Sequence, residues 1–333
     1  MNKHILVSLN RLRFLKAREK LLIGDCIENE RQFLQLTPER LCRLAGRRLR
    51  IGSWDAAAVL RQGEMDLRYA EQKGIGVCCH WDRDYPPQLR EIYDPPVLLF
   101  YRGRLPDTGM PLAAAVGTRK PSGRALKAAY KCGLELGINS IGTVSGLARG
   151  IDKSVHRGSL DGGGTTAAVL GCGIDRIYPA EHKRLAESII RQGGTILSEY
   201  APGVAPVRYH FPERNRIISG LARAVIIIQA PTKSGALITA DYALDQGRDL
   251  YVHRQGLEGR SGEGGRKLAA EGAEIISSAA QVLQEWGLLE PKAISAAPQA
   301  PAARQAGDYL ARCLERELEG MEFSRMGTQW TAV

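Results

Sequence analysis

The residues best suited to chemistry in this sequence are arginines and lysines set among glycines and serines. The stretch "GTRKPSG" (117–123) lies between an apolar run and a helical run. A strand, a turn and a helix N-terminus together seat a phosphate, because small residues bring backbone N–H groups close and the helix end favours negative charge. Arg119 and Lys120 make this turn more basic than a mononucleotide loop. Four later turns share its composition: "SGLARGID" (145–152), "GCGIDRIYPAEHKR" (171–184), "EYAPGVAPVRYHFPERNR" (199–216) and "APTKSGALITA" (230–240). One nucleotide needs one phosphate seat, so five basic turns on one sheet edge fit an extended polyanion better. Tyr209, His210 and Phe211 add aromatics beside that rim, where the bases of a single strand stack. Phe211 has a second reading, as packing beneath its loop.

Enzyme constellations fare less well. "GLARGIDKS" (146–154) lacks the Gly-Lys pair of a P-loop. "GTVSG" (142–146) is offset by one from a nucleophile elbow, which leaves Ser145 weak as a nucleophile. Asp152 and His156 stand one helical turn apart, as a relay or metal pair would, or as capping and packing groups. "VCCH" (77–80) alternates faces of a strand and cannot turn all three groups to one metal. No cofactor is expected.

The elements that must position these turns follow from apolar spacing. Residues 1 to about 70 carry helical periodicity, with Thr37, Pro38 and Glu39 as a helix start, and read as a small all-helical domain. Arg47, Arg48 and Arg50 cluster near one of its turns, as a solvated helix end or as backbone-phosphate contacts. From Gly74 the pattern becomes strand, turn, helix, with strands at 111–116, 140–145, 165–170, 194–199, 224–229 and 249–253. These strands are apolar throughout, as in a parallel sheet covered on both faces. The fold class expected over 74–289 is α/β, a Rossmann-like doubly wound, mostly parallel sheet. An Ala/Pro-rich linker (290–306) and a short C-terminal helix with its tail (307–333) are expected to follow.

Composition agrees with a polyanionic partner. The net charge is +10, and residues 1–50 alone hold twelve Lys and Arg against five Asp and Glu. The 333 residues contain no apolar run long enough to span a membrane and no signal layout at the N-terminus, so a cytoplasmic protein is expected. Seven scattered cysteines without a C-x-x-C pair suit reduced, mostly buried thiols.

Taken in order, "VGTRKPSG", "TVSGLARGIDKSVHRG", "AVLGCGIDRIYPAEHKRL", "LSEYAPG", "FPERNRIISGLA" and "SGALITADYALDQGRDLYV" resemble the DNA-processing protein A family (DprA, also called Smf). The lead-in "DRDYPPQLREIYDPPVLLFYRG" resembles it too, and the helical region is similar to that family's sterile-alpha-motif-like or helix-hairpin-helix domain. The resemblance implies an extended Rossmann-like domain that binds single-stranded DNA, forms a homodimer, and loads the RecA recombinase in natural transformation and competence, without catalysis. It implies phosphate-holding positions at Gly117, Thr118, Arg119 and Lys120, and at Ser145, Gly146 and Arg149. It implies others at Lys183, at Ser234, Gly235 and Thr239, and beside Phe211. Arg214, Asn215 and Arg216 form its "RNR" signature, read either as buried structure or as direct DNA contact. The segment 253–267 departs from the family's Val-Pro-Gly turn. The alternative function is a nucleotide or nucleoside-phosphate hydrolase of the lonely-guy type, although its glycine-rich motif is replaced by "TKSGALITAD".

Overall fold

Side-chain caps start most helices of the N-terminal region. Asn2, Asn29, Thr37 and Asp55 accept backbone N–H groups at the starts of Lys3–Asn10 (α1), Glu30–Leu34 (α3), Pro38–Ala45 (α4) and Ala56–Gln72 (α5). Each removes one unpaired donor from a helix end. In Ala17–Asp25 (α2) the Glu19 carboxylate accepts the Lys16 N–H instead. Ile5, Leu9, Ile23, Phe33, Leu41 and Leu60 close a core of their own among these helices. The expected boundary near residue 70 is nevertheless bridged, because Leu6, Val7 and Ala70 pack with Leu98 and Phe100 of the sheet.

The computed structural model describes residues 2–106 and 109–289, with the backbone of Phe323–Met326 and Gln329–Ala332. Its main sheet holds Gly76–Cys79 (β1), Leu98–Gly103 (β2), Leu112–Gly117 (β3), Gly142–Ser145 (β4), Thr166–Leu170 (β5), Thr195–Ser198 (β6), Ala224–Gln229 (β7), Asp249–His253 (β8) and Glu274–Ile276 (β9). The order is β1-β2-β6-β5-β4-β3-β7-β8-β9. Pairing is parallel from β6 across to β9, and antiparallel only for β1–β2 and β2–β6. Every residue of β4, β5, β6 and β7 is buried, which is why their sequences do not alternate. The expected α/β architecture is what the chain adopts.

Two helical layers produce that burial. On one face Leu89 of Pro87–Arg90 (α6), Ile217, Ile218 and Leu221 of His210–Leu221 (α10) and Ala236, Ala240 and Ala243 of Gly235–Asp245 (α11) pack with Val144, Val169, Val225 and Ile227. On the other, Ala186 and Ile189 of Lys183–Arg191 (α9) join Ala168, Leu170 and Ile196. Each fully buried aliphatic side chain contributes about 1.5–3 kcal/mol. Gly123–Ile138 (α7) and Ile151–Asp161 (α8) cross almost backbone to backbone. A Cβ on Gly158 would lie 2.0 Å from the Tyr130 carbonyl oxygen, and one on Gly133 2.2 Å from that of Val155. Alanine does not fit at either position.

Sequence order reverses between β3 and β7, so the crevice of a doubly wound sheet opens at the carboxyl ends of these central strands. All five basic turns leave that edge. The departure at 253–267 folds as two short 3-10 turns, Arg254–Gly256 and Arg260–Gly262, followed by Glu263–Ala270 (α12). His253 is buried and its ring accepts the Gln255 N–H (3.2 Å). The chain divides into two units, Met1–Val282 and Leu283–Val333. In the second, Phe323–Met326 (β10) and Gln329–Ala332 (β11) form an antiparallel pair. The expected linker, and the helix read at 308–322, lie outside the described residues.

Candidate nucleic-acid interface

The turn after β3 is pinned at both ends and carries exposed cations in its middle. Thr118 N–H donates to the Gln229 carbonyl (2.8 Å), and the Thr118 carbonyl accepts the Ile151 N–H (3.3 Å). At the far end Ser122 caps α7 through Ala125 N–H, and its own N–H donates to Gln229 Oε1 (2.8 Å). Gly117 and Thr118 are partly exposed, while Arg119 and Lys120 stand in solvent between the anchors. The Arg119 guanidinium carbon lies 5.3 Å from the centre of the Phe211 ring, in a cation–π contact.

The turn after β4 is built from inside. Gly146 and Ala148 N–H groups both donate to Asp152 Oδ2 (3.1 and 3.3 Å). Leu147, held at φ +55°, donates its N–H to His156 Nε2 (3.3 Å), and its carbonyl faces His182 Nδ1 (2.8 Å). Because Nε2 of His156 accepts, its Nδ1 carries the proton and donates to Thr166 Oγ1 (2.7 Å). Burial pushes the His156 ring down to about 3, helped by the nearby His182 and Arg214. Burial also raises the Asp152 carboxyl, against the pull of Arg214 and the two N–H donors. Of the readings open for Asp152 and His156, capping and packing is what the geometry shows. Arg149 projects from the tip of this turn and pairs with Glu181 (2.8 and 2.9 Å).

The "RNR" signature lies beneath these turns rather than on them. Arg214 donates to the carbonyls of Gly146 (2.7 Å) and Val169 and to Asn215 Oδ1 (3.0 Å). A Cβ on Gly146 would lie 2.2 Å from a guanidinium nitrogen, so this arginine and that glycine require each other. Asn215 donates to the Gly235 carbonyl (3.1 Å). Arg216 is clasped by Glu199 (2.7 and 2.6 Å) with Asp94 at 3.4 Å, and these carboxylates hold its guanidinium above its usual range despite burial. Arg214, Asn215 and Arg216 are only 5–8% exposed, which decides for the buried reading. Ser145 and Thr239 are also buried, with hydroxyls committed to the Ala115 and Gly235 carbonyls (2.8 and 3.4 Å). The Gly146 N–H faces Asp152 and is not open to a phosphate.

What remains at the surface forms a cleft. Arg119, Gly146, Ala148, Arg149, Tyr178 and Phe211 line a hollow of about 50 Å³, floored by Arg214. Tyr178 is 44% exposed and its ring centre lies 5.5 Å from that of Phe211. Phe211 itself is half-buried and rests on the backbone of Gly171, so it both packs and presents a face. The sequence reading missed Tyr178, although its "YP" dipeptide lies within a quoted motif. Ser234 and Gly235 stand elsewhere, in a larger cavity of about 400 Å³ with Lys233, Asp241, Lys267 and Glu271. Ser234 caps α11 there through the Ala236 N–H (3.2 Å). Lys183, the first residue of α9, is exposed and lines neither cavity.

The family model described as DNA recombination-mediator protein A matches residues 76–287. The chain belongs to this family. It is 44% identical over 207 residues to DNA processing protein DprA of Streptococcus pneumoniae, covering 62% of this chain and 72% of that one. It is 35% identical over 266 residues to protein Smf of Escherichia coli, covering 72% and 71%. The X-ray structure of DNA processing protein A from Streptococcus pneumoniae superposes with TM-score 0.70 at 33% identity, over 86% of this chain and 98% of that one. A Helicobacter pylori DNA processing protein A structure, which concerns that protein's single-stranded DNA binding mode, gives TM-score 0.56 at 28% identity, over 64% and 95%. Family membership supports a DNA-processing role. Among the described residues no helix is long and apolar enough to cross a membrane.

Proposed function

We propose that this protein binds single-stranded DNA along the carboxyl edge of its sheet and acts as a recombination mediator in the cytoplasm, as a homodimer that hands the strand to a RecA-type recombinase during natural transformation. One observation carries the DNA contact. Arg119, Tyr178 and Phe211 place a cation and two aromatic rings in one open cleft, with Phe211 5.3 Å from the guanidinium and 5.5 Å from the other ring. Stacked bases and a neutralised backbone suit that arrangement, whereas duplex bases are already stacked on one another. The single-strand binding named for the Helicobacter pylori relative supports the same reading. Gly117, Thr118, Lys120, Arg149 and Lys183, with Ser234 and Gly235 at the separate cavity, are the sequence-assigned positions still accessible for phosphates. A role in binding rather than hydrolysis is part of the proposal, because Asp152 and His156 are taken up in holding a loop.

The test is a fluorescence anisotropy titration with single- and double-stranded oligonucleotides at several salt concentrations. The expected result is preference for the single strand and a log–log salt slope of roughly −0.7 per phosphate contact. Arg119→Ala should weaken binding to all sequences alike and make the slope shallower by about one contact. Binding indifferent to salt, or preference for duplex, contradicts the proposal.

A further inference from the structure

The helical region meets the sheet beside the aromatic end of the cleft. Asn10, at the end of α1, donates to the Glu199 carbonyl (2.7 Å), and Arg11 donates to that of Pro202 (3.1 Å). Both acceptors belong to the turn after β6, which leads into α10. Arg11 is anchored a second time by Asp66 of α5 (2.6 and 2.5 Å), and buried Lys20 donates to the Asn10 carbonyl (3.0 Å). The α1–α2 turn is thereby fixed against the α/β body by named hydrogen bonds on both sides.

That fixed turn carries Arg13 and Lys16, both exposed. His210, the first residue of α10, is held below its usual range by burial, with Glu213 opposing and the Arg13 guanidinium adding to the effect. Arg13 lies two residues beyond Arg11, which is bonded to the turn leading into His210; the His210 ring contacts Tyr209 (4.7 Å between centres) and stacks on Tyr200 (4.0 Å). Tyr209 is 55% exposed, and its neighbour Arg208 is exposed too. Arg47 reaches the carbonyl of Phe14, the residue after Arg13 (2.9 Å), while pairing with Glu19, which brings the end of α4 to the same turn. Arg48 and Arg50 follow it in solvent.

We infer that the α1–α2 turn is a second nucleic-acid contact, in which Arg13 and Lys16 take the backbone of a single strand leaving the Phe211 cleft past Tyr209. The inference rests on the single-strand reading proposed above and lengthens its path. Its ligand is a polyanion with free bases, because the exposed cations Arg119, Arg208, Arg13 and Lys16 are accompanied by the exposed rings Tyr178 and Tyr209. Glu213, whose carboxylate accepts the Tyr200 hydroxyl (2.8 Å), and Glu181, paired with Arg149, are acidic groups beside the path.

Length dependence separates this contact from the first. The full chain and the double variant Arg13→Ala/Lys16→Ala are titrated with oligothymidylates of about 6 and about 16 nucleotides. The variant should match the parent on the short strand and lose several-fold in affinity on the long one. Its salt slope on the long strand should be shallower by about 1.4, two contacts at roughly 0.7 each. Equal affinities for the long strand, or an equal loss at both lengths, overturn the second contact and leave the cleft standing. Failure of the parent to bind either strand overturns the cleft itself. Both substitutions lie at exposed positions, and an unchanged denaturation midpoint verifies the fold.

Discussion

Arg119 and Arg214 sit above and below the same cleft, and their surroundings could hardly differ more. Arg119 stands in solvent with its guanidinium over a ring. Arg214 is buried and bonded to two strand-end carbonyls, beneath a glycine whose missing side chain leaves its guanidinium room. Arg216 continues the contrast, buried between Glu199 and Asp94. The same residue type thus serves two purposes: Arg119, in a turn, offers its charge outward, while Arg214 and Arg216, on α10, hold the neighbouring turns in the shape that makes the offer possible. A basic motif records only that a charge is needed, not on which side of the backbone it lies.

The comparison breaks most visibly if a buried arginine is neutralised. Arg216→Leu leaves Glu199 unpaired in the core and should cost about 3–5 kcal/mol in a denaturant titration. A loss below about 1 kcal/mol, with DNA affinity reduced, would place Arg216 among the ligand contacts. Acid sharpens the same contrast through the buried histidines. The His156 and His253 rings are held near 3 and near 4, below the ordinary 6.5, so the unfolded chain binds protons that the folded chain refuses. Stability from these groups is complete above pH 6.5 and falls as pH drops towards 4, by about 1.4 kcal/mol per pH unit for each ring. His156→Gln should remove one proton from that slope when unfolding is followed against pH; an unchanged slope would mean that His156 is not held neutral. The smallest effect belongs to the surface. Phe211→Ala should weaken single-strand binding by roughly 1–3 kcal/mol for every sequence. If affinity is retained while stability falls, the ring is packing alone.

Part of this architecture is legible in the chain itself. Unbroken apolar runs separated by Gly-rich turns can be covered only by helices on both faces, and β4 to β7 are buried at every residue as that pattern requires. The motifs in "VGTRKPSG" and "FPERNRIISGLA" led to the family that the chain belongs to. The assignment of side chains to the rim was less legible. Ser145 and Thr239 have the hydroxyls of a phosphate seat, but both face backbone carbonyls. Ser234 and Gly235 open onto a different cavity from Arg119. Tyr178 carries no charge to mark it in a basic turn, although it completes the aromatic pair.

The sequence by itself determined the strand edge, the five turns on it and their charge, because periodicity and composition are local properties of the chain. Only the tertiary structure decided which charges reach solvent. That decision depends on partners 17 to 68 residues away, such as Glu199 for Arg216 and Gly146 for Arg214. A buried guanidinium is tolerable only where carbonyls and carboxylates converge on it, and such convergence exists only once the sheet has closed over it.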